Sequence, residues 1–232
     1  MLALTQGMMS LRPGSAVEFV AATGANYTAT GTSISSPSTP AGVLAGDGLF
    51  AILYGRSTLT PPSGWTLVVS QENPGTITQT LYVYRKNTTA PGDSSTAFTW
   101  TQAVSGRMGL SYCLVRSSSG TITAAESAGA QADFASASTT HPMPVPVLTA
   151  SVNGELFIIA GTSLVADASP NNSTWTAPSG ATVRTTPAAP ENRLGFATQS
   201  RDAGQSNSTP FVFSVTGQSV NELASIVLRL TS

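Results

Sequence analysis

An eight-residue stretch occurs twice in this chain. Ser57-Thr58-Leu59-Thr60-Pro61-Pro62-Ser63-Gly64 runs into Trp65-Thr66-Leu67-Val68-Val69, and Ser173-Thr174-Trp175-Thr176-Ala177-Pro178-Ser179-Gly180 runs into Ala181-Thr182-Val183. Six of the eight positions are identical. A Pro-Ser-Gly turn followed by a β-branched run reads as a turn feeding a strand. Its recurrence implies a chain built by doubling one β unit.

Other landmarks recur in the same order. Asn153–Ala160 retraces Gly46–Leu53, where the Gly46-Asp47-Gly48 turn feeds an apolar run that ends at Tyr54. Leu194-Gly195-Phe196-Ala197 retraces Leu81–Tyr84, with Gly195 interrupting the strand pattern. Phe211-Val212-Phe213 matches Phe98-Thr99-Trp100, and Leu223–Arg229 matches Leu110–Arg116. The extra residues of the second copy fall between Gly161 and Asn172.

Each half holds about seven short strands separated by turn signals, the spacing of a sandwich. The expected fold is therefore all-β: two tandem β-sandwich units of jelly-roll or Ig-like kind. They occupy residues 17–118 and 119–232, joined at Ser117-Ser118-Ser119-Gly120, behind an N-terminal segment of residues 1–16. The competing architecture is one larger sandwich whose halves exchange strands. No helix is expected. Leu49–Tyr54 reads as a strand covered on both faces. In Gln79–Arg85, Leu81 and Val83 share one face and Tyr82 and Tyr84 the other. Elsewhere each sheet is expected to hide one face and leave a Thr-rich face wet.

Charged residues make up only 9% of the chain and the net charge is −1. No field exists to gather nucleic acid or anionic lipid, which argues against nucleic acid as a partner. No apolar stretch reaches the roughly 18 residues of a spanning helix, so membrane insertion is not expected. The N-terminus lacks the positive n-region of a secretory signal. Cys113 is the only cysteine and sits in an apolar strand pattern, which reads as a small buried residue.

Chemistry-bearing residues are sparse, and no catalytic residue, metal site or cofactor is expected. His141 is the only histidine, sits in a predicted inter-strand loop, and has no nucleophile elbow to serve. The eleven carboxylates are scattered; nothing local brings Glu18, Asp47, Glu72 or Asp93 together. Trp100 aligns with Phe213 and reads as core. Trp65 aligns with Ala181, and Trp175 with Leu59, so neither is matched in size by the other half. That mismatch makes Trp175, at a loop end, the candidate contact for a glycan or a partner. Residues 1–16 carry three of the five methionines. Leu2, Leu4, Met8 and Met9 make that segment a candidate docking arm, methionine being adaptable at contact surfaces.

The series from Gly46-Asp47-Gly48-Leu49-Phe50-Ala51-Ile52-Leu53 through Thr60-Pro61-Pro62-Ser63-Gly64-Trp65-Thr66-Leu67, then Leu81-Tyr82-Val83-Tyr84-Arg85-Lys86 and Phe98-Thr99-Trp100, resembles a unit of tailed-phage virion proteins. Those proteins carry a Gly-Asp-led strand, a PPxGWT turn, an LxVYYK strand and an FTW strand, with a looser second copy behind. The resemblance spans roughly residues 17–230 and implies a non-enzymatic structural part of the particle: a tail fibre, a tail accessory protein or a capsid decoration. Such parts partner other virion proteins and copies of themselves, often as trimers, and some contact host surface glycans. The alternative from the residues is a carbohydrate-binding module using exposed loop aromatics.

Overall fold

The computed structural model describes residues 16–23, 26–28, 30–35, 37–73, 79–87, 89–133, 140–165, 173–185, 194–215 and 220–232. The candidate docking residues Leu2, Leu4, Met8 and Met9 lie outside the described residues. The first half contains β1 (Val17–Ala22), β2 (Asn26–Thr28), β3 (Ser33–Ser35), β4 (Gly48–Gly55), β5 (Leu59–Thr60), β6 (Trp65–Glu72), β7 (Thr80–Lys86), β8 (Thr99–Gln102) and β9 (Met108–Ser117). The second contains β10 (Thr123–Asp133), β11 (Thr140–Met143), β12 (Glu155–Val165), β13 (Ser173–Thr176), β14 (Thr182–Thr185), β15 (Leu194–Arg201), β16 (Phe211–Val215) and β17 (Val220–Thr231). The only helical turn among the described residues is a 3-10 turn at Pro91–Asp93.

The fold is all-β and built of sandwich units. In the first half a large sheet runs β1-β9-β4-β7-β6, with β2 beside β9, and a small sheet runs β3-β8-β5. In the second half the large sheet runs β10-β17-β12-β15-β14 and the small one β11-β16-β13. The two halves follow one strand order throughout, β2 being the single addition. Every ladder among the described residues joins strands of the same half, so the described strands are not exchanged between halves.

Three apolar layers hold four sheets in a stack. One lies between the small and large sheets of the first half, around Leu49, Ala51, Leu53, Trp65, Trp100 and Tyr112. A second lies between the sheets of the other half, around Phe157, Ile159, Trp175, Ala197 and Phe211. The third joins the two large sheets face to face through Phe50, Ile52, Tyr54, Leu81, Val83 and Cys113 of one and Ile158, Leu194, Phe196, Ile226 and Leu228 of the other. The sandwiches therefore stand back to back.

This arrangement explains the continuous apolar runs. All eight residues of β4 are buried, because Phe50 and Ile52 face the other half while Leu49 and Ala51 face their own small sheet. The expectation that each sheet keeps a wet Thr-rich face holds only for the small sheets, where Thr99 and Thr101 of β8 and Thr174 and Thr176 of β13 are exposed. Side-chain facing also corrects the alignment of the central strands by one residue. Leu49 and Phe157 face their own small sheets and Phe50 and Ile158 face the opposite half, so Phe50 corresponds to Ile158.

Polar contacts tie the stack at its margins. The Val17 N–H donates to the Gly154 carbonyl at 3.0 Å, and the buried Gln79 amide donates to Thr162 Oγ1 at 2.7 Å. Gln71 Nε2 donates to Gln131 Oε1 at 3.2 Å. On the same β1 edge as Val17, the Arg184 guanidinium lies 3.9 Å from the Phe19 ring centroid, a cation–π contact, and donates to Thr198 Oγ1 at 2.7 Å.

Fully burying one aliphatic or aromatic side chain contributes about 1.5–3 kcal/mol, so the central layer adds to the stability of both halves and couples them. Phe196→Ala should cost about 3–5 kcal/mol and shift a single urea transition of the whole chain. Two separate transitions, with only the second half affected, would show that the halves fold independently.

Candidate interaction sites

Two buried acids among the described residues hold turns of their own half. Gly46 carries a φ of 87° and closes the turn before β4, which a side chain would strain. Asp47 follows it and is 6% exposed. Its carboxylate accepts from the Leu44 N–H at 2.8 Å, from Arg116 Nε at 2.7 Å and from Arg116 Nη2 at 2.6 Å. The guanidinium, raised in pKa by that hydrogen bond to Asp47, also donates to the Gly42 carbonyl at 2.9 Å. The second half repeats the device. Gly154 carries a φ of 76°, and Glu155 accepts from the Ser151 N–H at 3.0 Å and the Ser151 hydroxyl at 2.8 Å. Arg229 Nε stands 3.8 Å from that carboxylate while Arg229 Nη2 reaches Glu126 at 3.4 Å. Each pair joins the start of a central strand to the end of the last strand of its half. Bidentate geometry of the Asp47–Arg116 kind is directional and fixes register.

The tryptophans are core. Trp65 is 6% exposed, Trp100 0% and Trp175 5%. Trp175 lies in β13, inside the sandwich, with its ring 4.9 Å from that of Phe211. It offers no free face to a sugar or a partner, which corrects its placement at a surface loop. The size mismatch that pointed to it is explained by compensation among neighbours. Gly161 and Gly195 pair across β12 and β15, and a Cβ on Gly195 would stand 2.6 Å from Trp175 Cγ. A Cβ on Gly161 would stand 2.8 Å from Trp175 Cζ3. The two glycines thus form a flat floor for the indole, and β15 runs through Gly195 uninterrupted. The corresponding pair in the first half is Leu53 and Tyr82, both large, beneath the smaller Leu59. Trp65 then fills the place that Ala181 leaves small in the second half.

Both other singled-out residues are also interior. Cys113 is fully buried between the two large sheets. Burial pushes its thiol well above the ordinary value, the reverse of what a nucleophile needs. His141 is fully buried in β11, opposite Phe213, where a loop was expected. Among the described residues no group of three histidine, cysteine or acidic side chains is placed to hold a metal. No helix among them is long and apolar enough to cross a membrane.

Two of the surface hollows are lined by described residues. A polar one of about 370 Å³ lies where β1 meets β14 and β15, bounded by Glu18, Phe19, Thr182, Arg184, Thr198 and Gln199. Several of its groups are engaged: Arg184 covers Phe19 and donates to Thr198 Oγ1, and Gln199 donates to the neighbouring Ser179 carbonyl at 2.8 Å. The other, of about 540 Å³, lies beside the last residues of β10 and is bounded by Gln131, Ala132, Met143, Val145, Val147 and Pro210. Val147 is 63% exposed there. The acid–arginine pairs were not read from the sequence; the Gly46-Asp47 and Gly154-Glu155 dipeptides and the matched Arg116 and Arg229 are the signal that could have found them. The hollows carry no motif.

No family model, curated protein or solved structure matches the chain.

Two outcomes follow from these placements. Gly195→Ala should destabilise by about 1–3 kcal/mol through overpacking, and Trp175→Ala by about 3–5 kcal/mol, both read by urea denaturation. Near-wild-type stability of both variants would place Trp175 outside the core. Alkali should weaken the fold through Cys113. Above about pH 8.5 the unfolded chain loses the thiol proton that the folded chain keeps. Stability is fully present below that pH and falls with a slope of up to about 1.4 kcal/mol per pH unit above it. Cys113→Val should flatten the slope between about pH 8.5 and 10; Tyr84, pushed up to about 12 by burial, titrates in the folded state only beyond that range.

Proposed function

We propose that this chain is a non-enzymatic structural component of a bacteriophage particle, a tail fibre, tail accessory or capsid decoration protein that assembles through its β surfaces. The observation that carries the reading is where the fold spends its chemistry. Two of the three buried acids among the described residues, Asp47 and Glu155, are held by Arg116, by Ser151 and by an ion pair to Arg229 within their own half. What faces outward is hydroxyl-rich strand and sheet edge, which suits association better than turnover. The Gly46–Leu53, Thr60–Leu67, Leu81–Lys86 and Phe98–Trp100 series supports the phage setting by its resemblance to virion proteins. Low charge and a shared apolar centre suit a part that keeps its fold outside cells without disulfides.

Particles purified from a lysate in which the protein carries a C-terminal tag should contain it at a constant copy number relative to the main shell protein. A tagged protein that stays wholly in the soluble fraction while complete particles form would overturn this reading.

A further inference from the structure

Among the described residues the sheet edges are not equally protected. β3, β5, β11, β13 and β14 are two to four residues long. β1 shifts register between Phe19 and Ala21, and β6 between Leu67 and Val69, so both longer edges of the first half are bulged. Short strands and bulges are the usual guards against edge pairing. β10 differs. It spans 11 residues, and after a shift between Ala124 and Glu126 it stays in unbroken register with β17 from Glu126 to Asp133. That run reads Glu-Ser-Ala-Gly-Ala-Gln-Ala-Asp, with no lysine and no proline. Glu126, Ser127, Gly129 and Gln131 are exposed.

We propose that β10 is an assembly edge, at which a second copy of this chain pairs its own β10 antiparallel across a two-fold axis. For its biological setting this rests on the reading of the chain as an assembling particle protein; the geometry stands apart from it. A two-fold pairing is self-complementary only if residues on one face meet residues on the same face. Gly129 faces β6, where a Cβ would stand 2.4 Å from Gln71 Oε1, and Ser127 and Gln131 share that face by the period of a strand. With Gly129 opposite the partner's Gly129, Ser127 meets the partner's Gln131, a hydroxyl beside an amide. On the other face Ala128 meets the partner's Ala130, and Glu126 meets the partner's Ala132. No like charges stand opposite, and Glu126 keeps its 3.4 Å ion pair with Arg229. The small side chains let two backbones approach, and the added strand runs along the mouth of the 540 Å³ hollow where Val147 is exposed. The two large second-half sheets become one continuous sheet.

Light scattering after size exclusion should give the full chain a mass twice its 23.6 kDa. Ser127→Lys with Gln131→Lys sets lysine against lysine twice across the axis and should return the protein to the mass of one chain with its circular dichroism unchanged. Ser127→Lys with Gln131→Glu sets lysine against glutamate at the same two places and should keep the dimer. A monomeric or trimeric wild type overturns the proposal, as does a lysine–lysine variant with the wild-type mass. An oligomer that survives the two lysines and is lost on deleting residues 2–12 would assign the contact to the N-terminal arm and overturn self-pairing. A dimer absent from particles would leave the joint standing while the particle reading fails; a particle-bound protein indifferent to the lysines would do the reverse.

Discussion

Everything else in this structure depends on the face-to-face contact of the two large sheets. A sheet of five or six strands with one face against a three-stranded partner has a second face to cover. Here each half covers it with the other half. Phe50, Ile52, Leu81 and Val83 meet Ile158, Leu194, Phe196 and Ile226, all of them buried. A half on its own would present that whole apolar face to water, a patch far beyond what a soluble surface usually carries. The repeat is therefore an energetic requirement as well as a pattern. The linker fits that demand: Ile122 is buried in the shared layer, five residues beyond the end of β9 at Ser117.

This contact also decides what was legible in the sequence. The central strands, the Pro-Ser-Gly turns and the fold class were readable, because turn glycines and β-branched runs act locally; β10, rich in alanine and glycine, and β11, read as a loop around His141, were not. Gly64 and Gly180 have φ of 85° and 74°, and each closes a turn in which the N–H three residues after the proline at 62 or 178 returns to that proline's carbonyl. The buried run Leu49–Tyr54 was readable as doubly covered, but what covered it was not, since facing partners leave no mark in local periodicity. The one-residue error in matching the central strands has the same root. Leu-Phe occurs in both strands, and identity aligned Leu49 with Leu156, whereas facing is set by the sheets on either side. A slip of one residue inverts every side chain.

The misplacement of Trp175 shows a second limit. Size matching position by position assumes that each site conserves its own volume. The interior conserves the volume of a neighbourhood instead, close to crystal density. Four positions change together: Leu53, Leu59, Trp65 and Tyr82 in one half correspond to Gly161, Trp175, Ala181 and Gly195 in the other. A large side chain moves from one strand to another, and two glycines open the floor beneath it. A lone unmatched tryptophan thus pointed away from the surface, and the nearby glycines at 161 and 195 were the signal that could have located it.

Edges are where the two halves part company, and there the structure bears on function most directly. The first half guards its long edges with bulges at Val20 and Val68, and the second bulges β14 at Arg184, which turns that side chain onto Phe19. Bulges at Val68 and Arg184 fall at corresponding places, so the same backbone device serves an apolar contact in one half and a cation–π contact in the other. β10 has no such device in its last eight residues. A chain with a single lysine has few charges with which to repel a visiting strand, and β10 carries none of its cations. In a free monomer that combination is a hazard. In a protein that works by joining others it is an economical joint, because main-chain hydrogen bonds supply the affinity and the alanine and glycine side chains impose little steric cost. The uneven protection of the edges is therefore more informative about function than any single side chain in the molecule.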